Sequence, residues 1–186
     1  RVVDESVPLS YGVLGQETTG PGGICFALRT IPVMVRLAET IAQHAPRAWL
    51  INFTNPAGMV TEAVQQVLGD RAVGICDSPR GLCARVAGAL GRDPADLWFD
   101  YFGLNHLGWL RGVHDGERDL LPGLLSDEER LLSLEEGELF GVEWLRTLGM
   151  IPNEYLYFFY FASDAVDALR SGLQLRAEFL LRQQTA

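Results

Sequence analysis

Apolar residues first recur at helical spacing over 24–43, where Ala27, Leu28, Ile31, Met34, Val35, Ala38, Ile41 and Ala42 fall on one face. Pro32 then belongs near the start of that helix or kinks it. The pattern changes over 48–53 to a continuous apolar run, as a strand buried on both faces shows. A second helical stretch carries Met59, Val60, Ala63, Val64 and Val67 and ends near Gly69. Asn55 is its expected cap and Pro56 its first helical residue. An apolar run over 71–76 and a helix opened by Ser78-Pro79 and stopped by Gly91 repeat the unit. Two strand–helix units in succession predict a parallel sheet. Its carboxyl edge, where open α/β sheets bind ligands, would hold Asn55, Cys76 and Asp77.

Beyond Asp93-Pro94 the period shifts. Strands are expected over 98–103 and 108–114, with Leu104-Asn105-His106-Leu107 between them and a hairpin-type turn at Asp115-Gly116. Residues 120–138 are acidic and leucine-rich and read as a surface helical excursion; 140–148 reads as a helix. The aromatic run 155–161 reads as core or as a subunit interface, and 165–184 as an exposed amphipathic helix. At the front, 1–15 is loop-like with short extended pieces near Val7 and Val13. The polar, glycine-rich 16–23 either presents N–H groups to a ligand or is a plain loop capped by Thr18 or Thr19. The fold class is therefore α/β, running into an α+β C-terminal part.

Composition narrows the function. A net charge of −9 argues against unspecific nucleic-acid binding, which needs a basic face. The chain has no lysine, which excludes a Schiff base or a P-loop lysine within it. Three irregularly spaced cysteines, Cys25, Cys76 and Cys83, indicate reduced thiols and a cytoplasmic location. No run approaches the ~18 apolar residues of a membrane helix, and no signal-peptide pattern is present. The chain opens at Arg1-Val2-Val3-Asp4 without a methionine and ends in a helix-like run without a stop, so a fragment is expected.

Cys76 and His106 could together hold a borderline divalent metal in an open site, although each alone reads more simply as a core thiol and a hydrogen-bonded loop histidine. Asp77 could be a general acid or base, or serve the helix start beside it. Asn52 and Asn55 could bind hydroxyls, or form the turn and its cap; Glu17 could orient a hydroxyl, or be a solvated loop charge. Tyr155, Tyr157 and Tyr160 read as core and interface.

Four ordered motifs go further: Gln16-Glu17-Thr18-Thr19-Gly20, Asn52-Phe53-Thr54-Asn55-Pro56, Gly74-Ile75-Cys76-Asp77-Ser78-Pro79 and Gly103-Leu104-Asn105-His106-Leu107. Together they resemble glycoside hydrolase family 4, nearest to its 6-phospho-β-glucosidases. Met150-Ile151-Pro152-Asn153-Glu154-Tyr155-Leu156 is similar to the Pro-Asn-Pro-Tyr-Leu stretch of that branch. The resemblance implies a truncated Rossmann-like sheet of the lactate/malate dehydrogenase kind. Residues 1–91 would be the second part of the nucleotide-binding domain, and 92–186 the start of the catalytic and oligomerisation domain. It implies NAD and a divalent metal, usually Mn2+, and an exception to two-carboxylate glycoside hydrolysis. In that scheme oxidation at C3 acidifies C2, the aglycone leaves by elimination, water adds and the ketone is reduced. Cys76 and His106 would be the metal ligands and Asp77 the acid. Glu17, Asn55 and Asn105 would contact a phosphorylated sugar, and Asn52 and Asn55 the cofactor. Asp77 departs from the β-branch, which usually carries Asn there, and is more typical of the phospho-α-glucosidases. The glycine-rich NAD turn and the catalytic tyrosine would lie outside this chain, which alone should be inactive. The parent would be a dimer or tetramer. The rivals are a dehydrogenase relative, which would need no metal cysteine, and a non-catalytic sugar-phosphate binding module.

Overall fold

A computed structural model describes residues 2–16, 18–171 and 175–185. They form two compact units, one of Arg1–Cys76 with Phe161–Ala186, the other of Asp77–Tyr160.

The first unit opens with a helix, not the expected loop: α1, Val2–Ser10. Its local signals are weak, since Pro8 lies inside it. Distant partners hold it. The buried Glu5 carboxylate accepts the Ala177 N–H at 3.0 Å, and the Arg170 guanidinium donates to the Leu9 carbonyl at 3.2 Å. Helix α2, Gly20–His44, is longer than its apolar pattern, and Pro32 lies in its interior. Thr19 occupies the cap position without making a side-chain cap bond. Of the face expected to be covered, Ala27 and Ala38 are buried, but Leu28 is 69% exposed.

Strand β1, Leu50–Asn52, and strand β2, Ala72–Gly74, pair in parallel in the register Leu50↔Ala72, Ile51↔Val73, Asn52↔Gly74. Between them runs α3, Ala57–Leu68, closed by Gly69 at positive φ. The core of this unit is Ala38, Leu50, Val64, Leu68 and Ala72, with Met34, Ile41, Ala42 and Val67 packed around it. Helices α2 and α3 thus cover the Leu50/Ala72 side. The other side is open: Ile51 is 66% exposed, and Trp49, Phe53, Val73 and Ile75 are exposed with it. The strand expected to be buried on both faces is covered on one. Expected as one helix, 165–184 holds two, α10 (Ala162–Arg170) and α11 (Arg176–Thr185), with 172–174 outside the described residues.

The second unit begins with α4, Ser78–Leu90, stopped as predicted by Gly91 in the left-handed region. Strands β3, Trp98–Leu104, and β4, Leu107–Asp115, form an antiparallel hairpin. The Asp115-Gly116 turn leads to β5, Arg118–Asp119, and β6, Ile151–Pro152, pairs on β4. Residues 120–138 are not a surface excursion. They fold as α5 (Leu121–Ser126), α6 (Glu128–Leu132) and the start of α7 (Glu135–Phe140), and Leu121, Leu124, Leu131 and Leu134 are core. Leu121 and Leu124, three apart, share one side of α5, while Leu131 in α6 and Leu134 before α7 reach the core singly. Helix α8, Val142–Leu148, follows, and the aromatic run forms a short turn and α9, Tyr157–Tyr160. Gly137 lets α6 and α7 meet, because a Cβ there would overlap the Leu131 carbonyl. Gly137→Ala is expected to cost about 1–3 kcal/mol, read as a lower denaturant midpoint at unchanged slope.

Candidate functional site

Because β1 and β2 are parallel, the segments leaving them share one edge. The Ile75 N–H donates to the Asn52 carbonyl at 2.9 Å, and Asn55 and Cys76 follow on that edge, both half-buried. The turn is built by Asn52, not by Asn55. Asn52 is 2% exposed, and its amide donates to the Thr54 carbonyl and Thr61 Oγ1 at 3.1 Å, while its Oδ1 accepts the Thr54 N–H at 3.0 Å. The group offered to a cofactor by the sequence is committed to the strand-to-helix turn. Pro56 takes the cap position of α3, in place of the expected Asn55.

Asp77 occupies the cap position of α4 and makes no side-chain cap bond there. The three cysteines form no disulfide. Burial pushes the Cys83 thiol up to about 11, so it stays protonated at neutral pH and is a poor metal ligand. Cys76 is left as the thiol at a sheet edge.

His106 is the best-built residue of the second unit. With Asn105 it forms the two-residue turn of the β3–β4 hairpin, and its φ of 59° is unusual for a non-glycine residue. It is 7% exposed, and its ring lies parallel to that of Tyr155, with centroids 3.6 Å apart and 4° between planes. Burial lowers its pKa, while Glu154 and then Asp77 pull the other way. The net effect favours the neutral imidazole, the form that ligates metals. Asn105 is exposed beside it. Glu17 lies outside the described residues. Among the described residues no group of three or more His, Cys, Asp and Glu side chains forms a ready-made metal cage. Cys76 offers a thiol and His106 an imidazole, each a donor type that suits a borderline divalent metal. They belong to different units.

Sequence reasoning passed over two groups. Asn153 is fully buried: its N–H donates to the Gly108 carbonyl at 2.9 Å, and its Oδ1 accepts the Tyr155 N–H at 3.1 Å. The signal was present in the Pro152-Asn153 stretch, but periodicity gives no hint that Tyr155 reaches His106. The second is a charge cluster. Arg85 pairs with Glu136, and lies 3.5 Å from Glu135 and 3.7 Å from Glu154, whose Oε2 is buried without a hydrogen-bond partner. Burial pushes the Glu136 carboxyl above its ordinary value of 4.5, and Arg85 offsets only part of this. A raised carboxylate contributes stability below its ordinary pKa and loses it as pH rises through the folded value. Glu136→Gln should therefore gain on the natural protein as pH rises from about 4 to about 7. Urea unfolding at each pH tests this, and a pH-independent difference would contradict it.

The family 4 glycosyl hydrolase sequence model matches residues 1–92, and the family's C-terminal domain model matches 101–186. The chain is 46% identical over 127 residues to 6-phospho-alpha-glucosidase 1 of Lacticaseibacillus paracasei, covering 67% of this chain and 29% of that protein. It is 38% identical over 182 residues to the 6-phospho-beta-glucosidase of Escherichia coli K12, covering 92% and 40%. Among solved structures, it is similar to the Thermotoga maritima 6-phospho-beta glucosidase with manganese, NAD+ and glucose-6-phosphate: TM-score 0.84, 29% identity, 99% of this chain and 44% of that one. It is also similar to a gut-microorganism 6-phospho-alpha-glucosidase with NAD and Mn2+: TM-score 0.79, 30% identity, covering 92% and 42%. The chain spans about 40% of the length of relatives such as the Escherichia coli enzyme. With matching models over both parts of the chain, and with the expected motifs at the edge of a parallel sheet and the tip of a hairpin, the chain belongs to glycosyl hydrolase family 4.

Proposed function

We propose that the chain is part of a cytoplasmic, NAD- and divalent-metal-dependent 6-phosphoglucosidase whose metal, Mn2+ in the first instance, is held by Cys76 and His106. The observation that carries this is His106, a buried, neutral-leaning imidazole fixed at a left-handed hairpin tip. Bound there, the metal supplies a Lewis acid for sugar oxygens, and NAD supplies a hydride acceptor. The residues do the remainder. His106 presents a ring nitrogen and Cys76 a thiolate. Asp77 holds a proton for the departing oxygen. Asn55, Asn105 and Glu17 would bind sugar hydroxyls, and Asn55 would also serve the cofactor. Asn52 acts through the turn that carries Asn55. Residues 1–91 and 92–186 are parts of the parent's nucleotide-binding and catalytic domains. The parent is a dimer or tetramer.

The preferred substrates are 6-phospho-β-glucosides, a reading supported by the Pro152–Leu156 stretch. A second reading, 6-phospho-α-glucosides, is favoured by Asp77 after the metal cysteine and by the 46% identity to an α-specific relative. Rates on 4-nitrophenyl 6-phospho-β- and α-glucosides, with the complete natural protein, NAD, Mn2+ and reductant, decide between them. A faster β rate supports the first and a faster α rate the second; no cleavage of either sinks both. Residues 1–186 alone are expected to turn over neither.

A further inference from the structure

We infer that Tyr155, anchored by Asn153, is the positioning residue of His106: its ring fixes the imidazole plane and so the direction in which a ring nitrogen meets a divalent cation. This rests on the reading of His106 as a metal ligand.

Strand β6 sets up the arrangement. Its pairing of Ile151 with Leu110 and Pro152 with Trp109 brings Asn153 opposite Gly108, to whose carbonyl its N–H donates at 2.9 Å. Gly108 stands two residues beyond His106 on β4. The Asn153 side chain then turns the chain, accepting the Tyr155 N–H at 3.1 Å and reaching the Tyr101 hydroxyl at 3.5 Å. Gly108 is required here, because a Cβ on it would overlap the Tyr101 ring. Two residues after Asn153, the Tyr155 ring comes to lie flat on the imidazole.

Packing alone does not ask for this geometry. Aromatic pairs favour offset or edge-on contacts with centroids 4.5–7 Å apart. The Phe140–Trp144 and Phe102–Trp109 stacks of the same unit sit at 5.2 and 5.6 Å, while His106 and Tyr155 meet face to face at 3.6 Å. The imidazole is thus fixed twice, by a left-handed backbone and by a ring platform. Such over-determination is the mark of a residue whose direction matters, and outer-shell partners of metal-bound histidines set ring orientation and tune affinity.

The test is an equilibrium Mn2+ titration of the complete natural protein, followed by the EPR signal of free Mn2+, with thermal unfolding of each metal-free variant alongside. Tyr155→Phe keeps the ring and should bind within about twofold of the natural protein. Tyr155→Leu removes the platform and should bind about 10–100-fold more weakly. Tyr155→Met, which fills similar volume without a flat face, should follow Leu and serves if the leucine variant does not fold. His106→Ala should lose the site. In the metal-free natural protein the His106 Hε1 proton should be shifted upfield by the stacked ring. Unchanged Mn2+ affinity in a folded Leu or Met variant, or no upfield shift, overturns the inference and leaves the metal reading standing. Mn2+ binding that His106→Ala does not alter overturns the metal reading, and this inference with it.

Discussion

Cys76→Ser or His106→Ala in the complete protein should lower metal-dependent kcat/KM by about 10³-fold or more, since a Lewis-acidic metal is worth several kcal/mol in the transition state. Each substitution removes one of the two protein donors assigned to the metal, and a hydroxyl or methyl replaces neither at neutral pH. The fold should survive both. Cys76 follows a short strand whose pairing ends at Gly74, and His106 occupies a turn whose flanking strands pair along their length. The readout is the ratio of kcat/KM at saturating Mn2+, with circular dichroism as the check on folding. Cys83→Ser is the matched control: its thiol is held protonated by burial, and activity should remain near that of the natural protein. Equal losses at Cys76 and Cys83 would assign the effect to packing.

Arg85→Ala should destabilise the protein by about 3 kcal/mol although it lies outside the site. Glu136 is fully buried, and its carboxylate pairs with this guanidinium. Glu135 and Glu154 share the same partner. Removing Arg85 leaves a buried charge uncompensated, which is worse than never having had the pair. Arg85 retains some exposure, so water softens the loss and the low end of the usual 3–5 kcal/mol range applies. For a chain of this size that is a drop in Tm of roughly 6–12 °C. Replacing both partners, Arg85→Met with Glu136→Leu, should recover much of it. A double variant as unstable as Arg85→Ala would show that the pair is not the cause.

Elements whose instructions are local were legible in the sequence. Helix α3 stops at Gly69 and α4 at Gly91 because glycine takes positive φ there without steric penalty, and the pattern marked both. The strand–turn–strand around His106 was visible as two apolar runs flanking polar residues. Elements fixed by distant partners were not. Helix α1 depends on the Ala177 N–H and on Arg170, more than 150 residues away, where no local pattern reaches. The acidic 120–138 segment reads as solvated because its charges are clustered and its leucines follow no single helical period, although Leu121, Leu124, Leu131 and Leu134 are core and Glu136 pairs with Arg85. At the site, the motifs named Cys76, Asp77, Asn105 and His106, but residue type could not separate Asn52 from Asn55. Only the turn's hydrogen bonds do that. The Tyr155 platform depends on the β4–β6 register, a long-range pairing.

Hydrolysis by the complete protein is expected to need both NAD and a divalent metal at Cys76 and His106. The most direct test is cleavage of 4-nitrophenyl 6-phosphoglucosides by the complete natural protein after removal of both, with each then restored singly and together. Turnover is expected only when NAD and Mn2+ are both present, and none in Cys76→Ser under the same conditions. Undiminished cleavage without NAD or without metal would contradict it.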